Sequence, residues 1–190
     1  MIPVKTTKHK SGLTIRQMAM IAILTAITCV LAPLSIPIGP VPISLTNLVI
    51  YFGLYILGTK FETISYCIYL LIGLIGIPVF SGFTAGPGKL FGTTGGYLIG
   101  FIPMALIAGF FITRFAKKKA MHFLGMVLGT VVCYAIGTVW LSFVAGLDAW
   151  AALMAGVIPF IPGDLIKIIL ALILGPKIRG QLIRAHLNIK

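Results

Sequence analysis

The chain has 190 residues, of which 59% are hydrophobic and 9% charged, with a formal net charge of +12 and a mean hydropathy of +1.11. A soluble domain would carry roughly 25% charged residues, so the composition excludes one and predicts a single all-α integral membrane domain over residues 1–190. The basic excess has neither an aromatic platform between its residues nor a soluble domain to carry it. That argues against nucleic acid as a partner and for a lipid bilayer.

Residues 1–13 read as a basic segment carrying Lys5, Lys8 and Lys10. The first apolar segment, about 14–33, continues beyond Arg16 to Ala32, longer than the apolar run of a cleaved leader, and is expected to remain as a span. Its Ala19, Ala22 and Ala26 place small residues on one side, which lets another helix approach closely. Internal packing is the ordinary meaning of such a face. The connection that follows holds Pro33, Pro37, Pro40 and Pro42, which cannot propagate a helix, and predicts an ordered lid.

Two shorter apolar segments, about 43–58 and 61–77, flank Lys60. The connection 78–92 is long, Gly-rich and apolar, with Phe80, Phe83 and Phe91. Irregular backbone of this kind near membrane depth is expected where it is buried in protein or lines a cavity. A fourth segment spans about 93–113, a fifth about 121–146 and the last about 159–185, its end extending beyond the membrane. Cys29, Cys67 and Cys133 lie far apart inside apolar segments and predict neither disulfides nor a metal site.

The six segments predict a six-transmembrane-helix bundle with Gly/Pro-rich outer loops. Of the 15 basic residues, 13 are Lys5, Lys8, Lys10 and Arg16 at the N-terminal end, Lys60, the four within Arg114 to Lys119, and the four from Lys177 onward. The opposite connections, about 34–42, 78–92 and 147–158, contribute only Lys89. The positive-inside rule then puts both termini in the cytoplasm of a multi-pass cell-membrane protein. Lys89, Asp164 and Lys167 fall toward the outer face.

Gly88-Lys89 imitates a phosphate loop, but Phe83 stands where its first Gly is required and Leu90 where Ser or Thr would hold magnesium. Uphill transport would therefore draw its energy from a partner or an ion gradient. Gly92-Thr93-Thr94-Gly95-Gly96-Tyr97 opens the fourth segment, where free backbone N–H groups suit a polar or anionic ligand. Close helix packing through Gly95 and Gly96 is the other meaning of that pair. On the fifth segment, Tyr134, Gly137 and Trp140 are spaced to share a pocket wall, with interfacial anchoring the alternative for Trp140.

The strongest functional signal is Asp164 and Lys167, one turn apart after the helix break Pro159-Phe160-Ile161-Pro162-Gly163. Ionisable residues at membrane depth are costly, and by default mark a functional site. A carboxylate accepts from ligand N–H groups and an ammonium donates to a ligand oxygen. A structural i, i+3 pair at the positive end of the helix dipole is the alternative. A different class of function is a self-sufficient proton- or ion-coupled carrier with Asp164 as proton acceptor. Against it, only one intramembrane carboxylate is evident and no second broken helix mirrors the sixth segment. An enzyme is disfavoured, since His9, His122 and His186 lie toward the cytoplasmic side and no Ser or Cys stands beside a base. No catalytic residue, metal or cofactor is assigned.

Together the motifs resemble the BioY family, the biotin-specific substrate-binding components (S-components) of energy-coupling-factor (ECF) transporters. The resemblance rests on Gly73 to Phe80 (GLIGIPVF), Gly92 to Phe101 (GTTGGYLIGF), Gly137 to Leu141 (GTVWL) and Pro159 to Lys167 (PFIPGDLIK). Thr93 departs from the family pattern, which more often has Pro there.

The resemblance implies a six-helix protein that captures extracellular biotin with high affinity. It also implies partners: a transmembrane coupling protein, which contacts the Ala19, Ala22 and Ala26 face, and two cytoplasmic ATPases that hydrolyse ATP. Asp164 and Lys167 complement the N–H and carbonyl groups of the biotin ureido ring, with walls from Phe80, Tyr97, Tyr134 and Trp140. Candidates for the tail carboxylate are Lys89, the Thr93 and Thr94 hydroxyls, or backbone N–H groups near Gly95 and Gly96. Asn47 can serve either end of the ligand.

Overall fold

The computed structural model describes residues 13–37 and 39–185. Lys5, Lys8, His9, Lys10, Ile38, His186 and Lys190 lie outside the described residues, as does the basic segment 1–13 apart from Leu13. Among the described residues there are eight helices: α1 (Ile15–Leu31), α2 (Thr46–Ile56), α3 (Gly58–Leu74), α4 (Pro87–Leu90), α5 (Gly95–Arg114), α6 (Lys119–Ala145), α7 (Ala149–Gly156) and α8 (Ile161–Arg184). A short antiparallel pair, β1 (Ser35–Ile36) and β2 (Ile43–Ser44), sets Ser35 opposite Ser44 within the Pro-rich connection.

Each of the six apolar segments contains one principal helix, and the ends follow local chemistry. Thr14 opens α1 with a capping box, its hydroxyl accepting from Gln17 N–H while the Gln17 side chain accepts from Thr14 N–H. Gly58 turns the chain from α2 directly into α3 at a φ of +76°, a left-handed conformation that favours glycine. Pro162 lies in the first turn of α8, where its missing N–H costs nothing.

The connection 147–158 departs from expectation, because it contains α7. Asp148 caps that helix, its Oδ1 accepting from Ala151 N–H at 3.1 Å. Helices α7 and α8 are bent by 47° across the intervening break. By length and composition, α5 and α6 are each able to cross a membrane, and the bent pair α7–α8 makes a third such unit among the described residues. Helices α1 and α2 are apolar but shorter, 17 and 11 residues. Many large apolar side chains face outward, including Ile15, Val30, Phe110, Val139, Phe143 and Ile166. A bilayer solvates such a surface, and water does not.

Inside the bundle, α5 packs most extensively on α6. Glycine permits it: a Cβ at Gly100 would lie 3.1 Å from Cys133 Sγ, and one at Gly129 would lie 2.8 Å from the Met104 carbonyl. Buried tyrosines carry the polar ties between helices. Tyr51 Oη lies 2.6 Å from Thr130 Oγ1, and Tyr66 donates to the Leu98 carbonyl at 2.8 Å. His122 is buried near the Arg114 end of the bundle, its ring nitrogens 3.1 Å from Tyr55 Oη and 3.1 Å from the Phe115 carbonyl oxygen.

The expectation of one carboxylate inside the bundle is corrected by Glu62. It is 1% exposed in the first turns of α3, packs against Gly53 of α2, and its Oε2 has no hydrogen-bond partner among the described residues. Glycine at position 53 is what admits the carboxyl group, since a Cβ there would overlap it.

Candidate ligand-binding site

The break before α8 aims the start of that helix at the start of α2. Asp164 and Lys167, both 8% exposed, form an ion pair at 2.9 Å. Asn47, in the first turn of α2, joins both: its Nδ2 donates to Asp164 Oδ1 at 2.8 Å and its Oδ1 accepts from Lys167 Nζ at 3.0 Å. Tyr134 of α6 donates to Asp164 Oδ2 at 2.6 Å. Lys167 Nζ also donates to the Ser44 carbonyl at 2.7 Å. Burying this pair without such bonds would be prohibitive; charge-assisted hydrogen bonds from three other elements offset its desolvation.

The cluster forms one wall of a cavity. Beside Asn47, Tyr134, Asp164 and Lys167, the walls are Val41, Pro42 and Ser44 from the Pro-rich connection, Ser81 from the connection 78–92, Thr94, Tyr97, Leu98 and Phe101 from the start of α5, and Cys133, Gly156 and Phe160. Thr94 is buried and its Oγ1 has no hydrogen-bond partner among the described residues. A hydroxyl in that condition keeps unused hydrogen-bonding capacity at the cavity wall. The arrangement offers an acceptor and donor cluster at one side, an unsatisfied hydroxyl at the start of a 20-residue helix, and apolar surface between them.

Sequence reasoning names Asn47, Thr94, Tyr97, Tyr134, Asp164 and Lys167, and the structure gathers all six around this cavity. It places others elsewhere. Phe80 is fully buried in an aromatic contact with Tyr69 at 5.6 Å, against Gly73. Trp140 donates from Nε1 to the Gly92 carbonyl at 2.9 Å and so holds the turn that precedes Thr94. Gly96 admits this tryptophan, since a Cβ there would lie 2.7 Å from Trp140 Cγ, while Gly95 admits the Leu90 carbonyl, which a Cβ there would overlap. Lys89 lies in α4, outside the cavity lining, where burial lowers the pKa of its ammonium group.

Ser44 and Gly156 are wall residues that sequence reasoning misses. Ser44 contributes its carbonyl, which no side-chain motif reports. The face of α1 is open: Ala19, Ala22 and Ala26 are exposed, and Ala22 and Ala26 line an apolar groove of about 510 Å³ with Ile64, Ile68 and Ile72 of α3.

Residues 5–184 match the model of the BioY family. The chain belongs to the BioY family. Biotin transporter BioY2 of Lactococcus lactis subsp. cremoris (strain MG1363) is 38% identical over 158 residues, 83% of this chain and 87% of that protein. Biotin transporter BioY of Thermotoga maritima is 37% identical over 167 residues, covering 86% and 96%. The crystal structure at 2.1 Å of the S-component for biotin from an ECF-type ABC transporter matches with a TM-score of 0.81 at 31% identity, covering 89% of this chain and 95% of that one. This BioY-family chain thus has the S-component fold, with its polar cluster at the junction of α2, α6 and α8.

Proposed function

We propose that this chain captures biotin and takes part in its uptake as the substrate-binding component of an ECF-type ABC transporter. The observation that carries the reading is the Asp164–Lys167–Asn47 cluster in a cavity wall of a BioY-family chain. A ureido group presents two N–H donors and one carbonyl acceptor. A carboxylate offers about four lone-pair sites, and Asp164 accepts bonds from Asn47, Lys167 and Tyr134, which leaves capacity for a ligand N–H. An ammonium has three donors, and those of Lys167 go to Ser44, Asn47 and Asp164. Donation to the ligand carbonyl therefore requires an exchange, and the Ser44 carbonyl, on the Pro-rich connection, is the partner best placed to give way.

The Thr94 hydroxyl and the positive end of α5 take the tail carboxylate, while Leu98, Phe101 and Phe160 meet the sulfur ring and aliphatic chain. The cavity volume of about 60 Å³ is well below the 300–1,000 Å³ usual for a small-molecule site, so admission requires the Val41–Pro42 strip to move outward. The reading includes six membrane-crossing segments with both termini cytoplasmic. Its support is that Arg114, Lys118, Lys119, Lys177, Arg179 and Arg184 gather toward the helix ends opposite Asp164. Energy comes from a transmembrane coupling protein, docked on the Ala22 and Ala26 groove, and two cytoplasmic ATPases.

Calorimetric titration of purified protein with biotin tests the reading. Wild-type protein binds, and Asp164→Ala and Lys167→Ala each weaken binding more than tenfold, from the loss of about 1.5–3 kcal/mol per charged hydrogen bond. Unaltered affinity in both variants overturns the site.

A further inference from the structure

Tyr97 is clamped between two glycines on different helices. One side of its ring rests on Gly137 of α6, and its hydroxyl rests on Gly156, the last residue of α7. The hydroxyl lies 3.4 Å from Thr138 Oγ1, and the whole residue is 7% exposed. A Cβ at Gly156 would overlap the Tyr97 hydroxyl, whereas the ring carbon that bears it would stay 3.1 Å away and the other near atom, Leu141 Cδ2, 3.0 Å. A Cβ at Gly137 would instead overlap the ring carbons themselves. The two glycines accommodate different parts of one side chain.

Gly156 immediately precedes the 47° bend between α7 and α8. Across that bend, Ile158 N–H donates to the Leu153 carbonyl of α7 at 3.2 Å and Phe160 N–H donates to the Val157 carbonyl at 2.9 Å, so the start of α8 and the position of Asp164 follow where α7 ends. Both Tyr97 and Gly156 are wall residues of the cavity. Neither Gly92-to-Phe101 nor Pro159-to-Lys167 contains Gly156.

We propose that Gly156 is a positioning residue for the ligand site: by seating the Tyr97 hydroxyl under the α7–α8 elbow, it sets where the elbow delivers Asp164. The Tyr97 hydroxyl acts as a spacer against α7, and its ring supplies the cavity wall. The inference rests on the biotin reading for its ligand and on packing geometry for its cause.

The test is biotin titration, with thermal unfolding, of wild-type protein and the variants Gly156→Ala, Tyr97→Phe, Gly137→Ala, Gly156→Ala/Tyr97→Phe and Gly137→Ala/Tyr97→Phe. Tyr97→Phe alone sets the reference affinity against which its double variants are read. Gly156→Ala weakens binding at least tenfold, and adding Tyr97→Phe returns affinity to within threefold of the Tyr97→Phe value, because the overlapping oxygen is gone. Gly137→Ala also weakens binding, and Tyr97→Phe does not restore it. Wild-type affinity in Gly156→Ala, or no recovery in its double variant, overturns the proposal. If Gly156→Ala aggregates, its double variant decides in the same way: a folded, binding protein supports the seat and continued aggregation overturns it. Failure of wild-type protein to bind biotin defeats the ligand reading instead. The seat is then judged by melting temperature, lowered in Gly156→Ala and restored by Tyr97→Phe if it holds, unrestored if it does not.

Discussion

Lys167 Nζ donates to the Ser44 backbone carbonyl at 2.7 Å, tying the ligand cluster on α8 to the β1–β2 pair. One ammonium therefore serves both the charge balance of Asp164 and the anchoring of the Pro-rich connection. Lys167→Met is expected to speed hydrogen exchange of the amides near Ser35 and Ser44 roughly tenfold or more, the equivalent of one charge-assisted bond of about 1.5–3 kcal/mol. Hydrogen-exchange mass spectrometry of the purified protein measures it; unchanged protection there would separate the connection from the cluster.

Removing one member of the buried pair leaves the other without a counter-ion. Asp164→Asn or Lys167→Met alone should lower stability by up to about 3–5 kcal/mol, whereas Asp164→Asn/Lys167→Met should recover part of that loss without recovering biotin binding. Thermal melts run beside titrations distinguish the two effects. A double variant as unstable as the worse single one would contradict this account.

Thr94 offers a buried hydroxyl with no partner among the described residues. Thr94→Val should weaken binding of biotin about tenfold while changing that of biotin methyl ester, whose tail carries no charge, by less than threefold. Thr94→Ser, which keeps the hydroxyl, should stay near wild type. Equal losses for both ligands in Thr94→Val would remove the tail from this position.

The Trp140 indole reaches across to the Gly92 carbonyl at 2.9 Å. Trp140→Phe should lower stability by about 0.5–1.5 kcal/mol, the net value of a neutral hydrogen bond, and weaken biotin binding a few-fold through the turn that carries Thr94. A melt and a titration check both. No change in either would mean that neighbouring contacts hold the turn.

Gly53 and Glu62 form a size-matched contact between α2 and α3. Gly53→Ala should destabilise by about 1–3 kcal/mol through overpacking, and Glu62→Ala should relieve part of that cost in the double variant. Glu62→Gln, of nearly equal size, should leave thermal stability within 1 kcal/mol or raise it. Tolerance of Gly53→Ala in the wild-type background would show that the carboxyl group can move.

Hydrophobic segmentation locates the long helices because membrane solvation acts on whole windows of residues. It passes over α7, although Asp148 ahead of an apolar stretch is a capping signal, because twelve residues between two longer segments read as a connection. Glu62 escapes notice for a different reason. Next to Lys60 it resembles a charge at a helix end, and its burial depends on a glycine in another helix. Asp164 and Lys167 are legible because charge is scarce in an apolar chain. Asn47 and Tyr134 are legible only as candidates, and their bonds to Asp164 require α2, α6 and α8 to meet. The spacing of Gly137 and Trp140 correctly puts them on one face, yet spacing does not tell a cavity wall from a brace for the Gly92 turn.

Asp164 and Tyr134 line a second hollow as well, an apolar groove of about 530 Å³ open between α6, α7 and α8, with Val131, Val139, Leu153 and Leu165. The ionic cluster thus borders this apolar groove through both Asp164 and Tyr134. Its effective dielectric would be set in part by the solubilising medium, since a detergent tail entering the groove would touch the same tyrosine that donates to the carboxylate. Affinities for this site accordingly belong to a protein and a lipid environment together, and those measured in nanodiscs and in short-chain detergent describe two different electrostatic settings of one cluster.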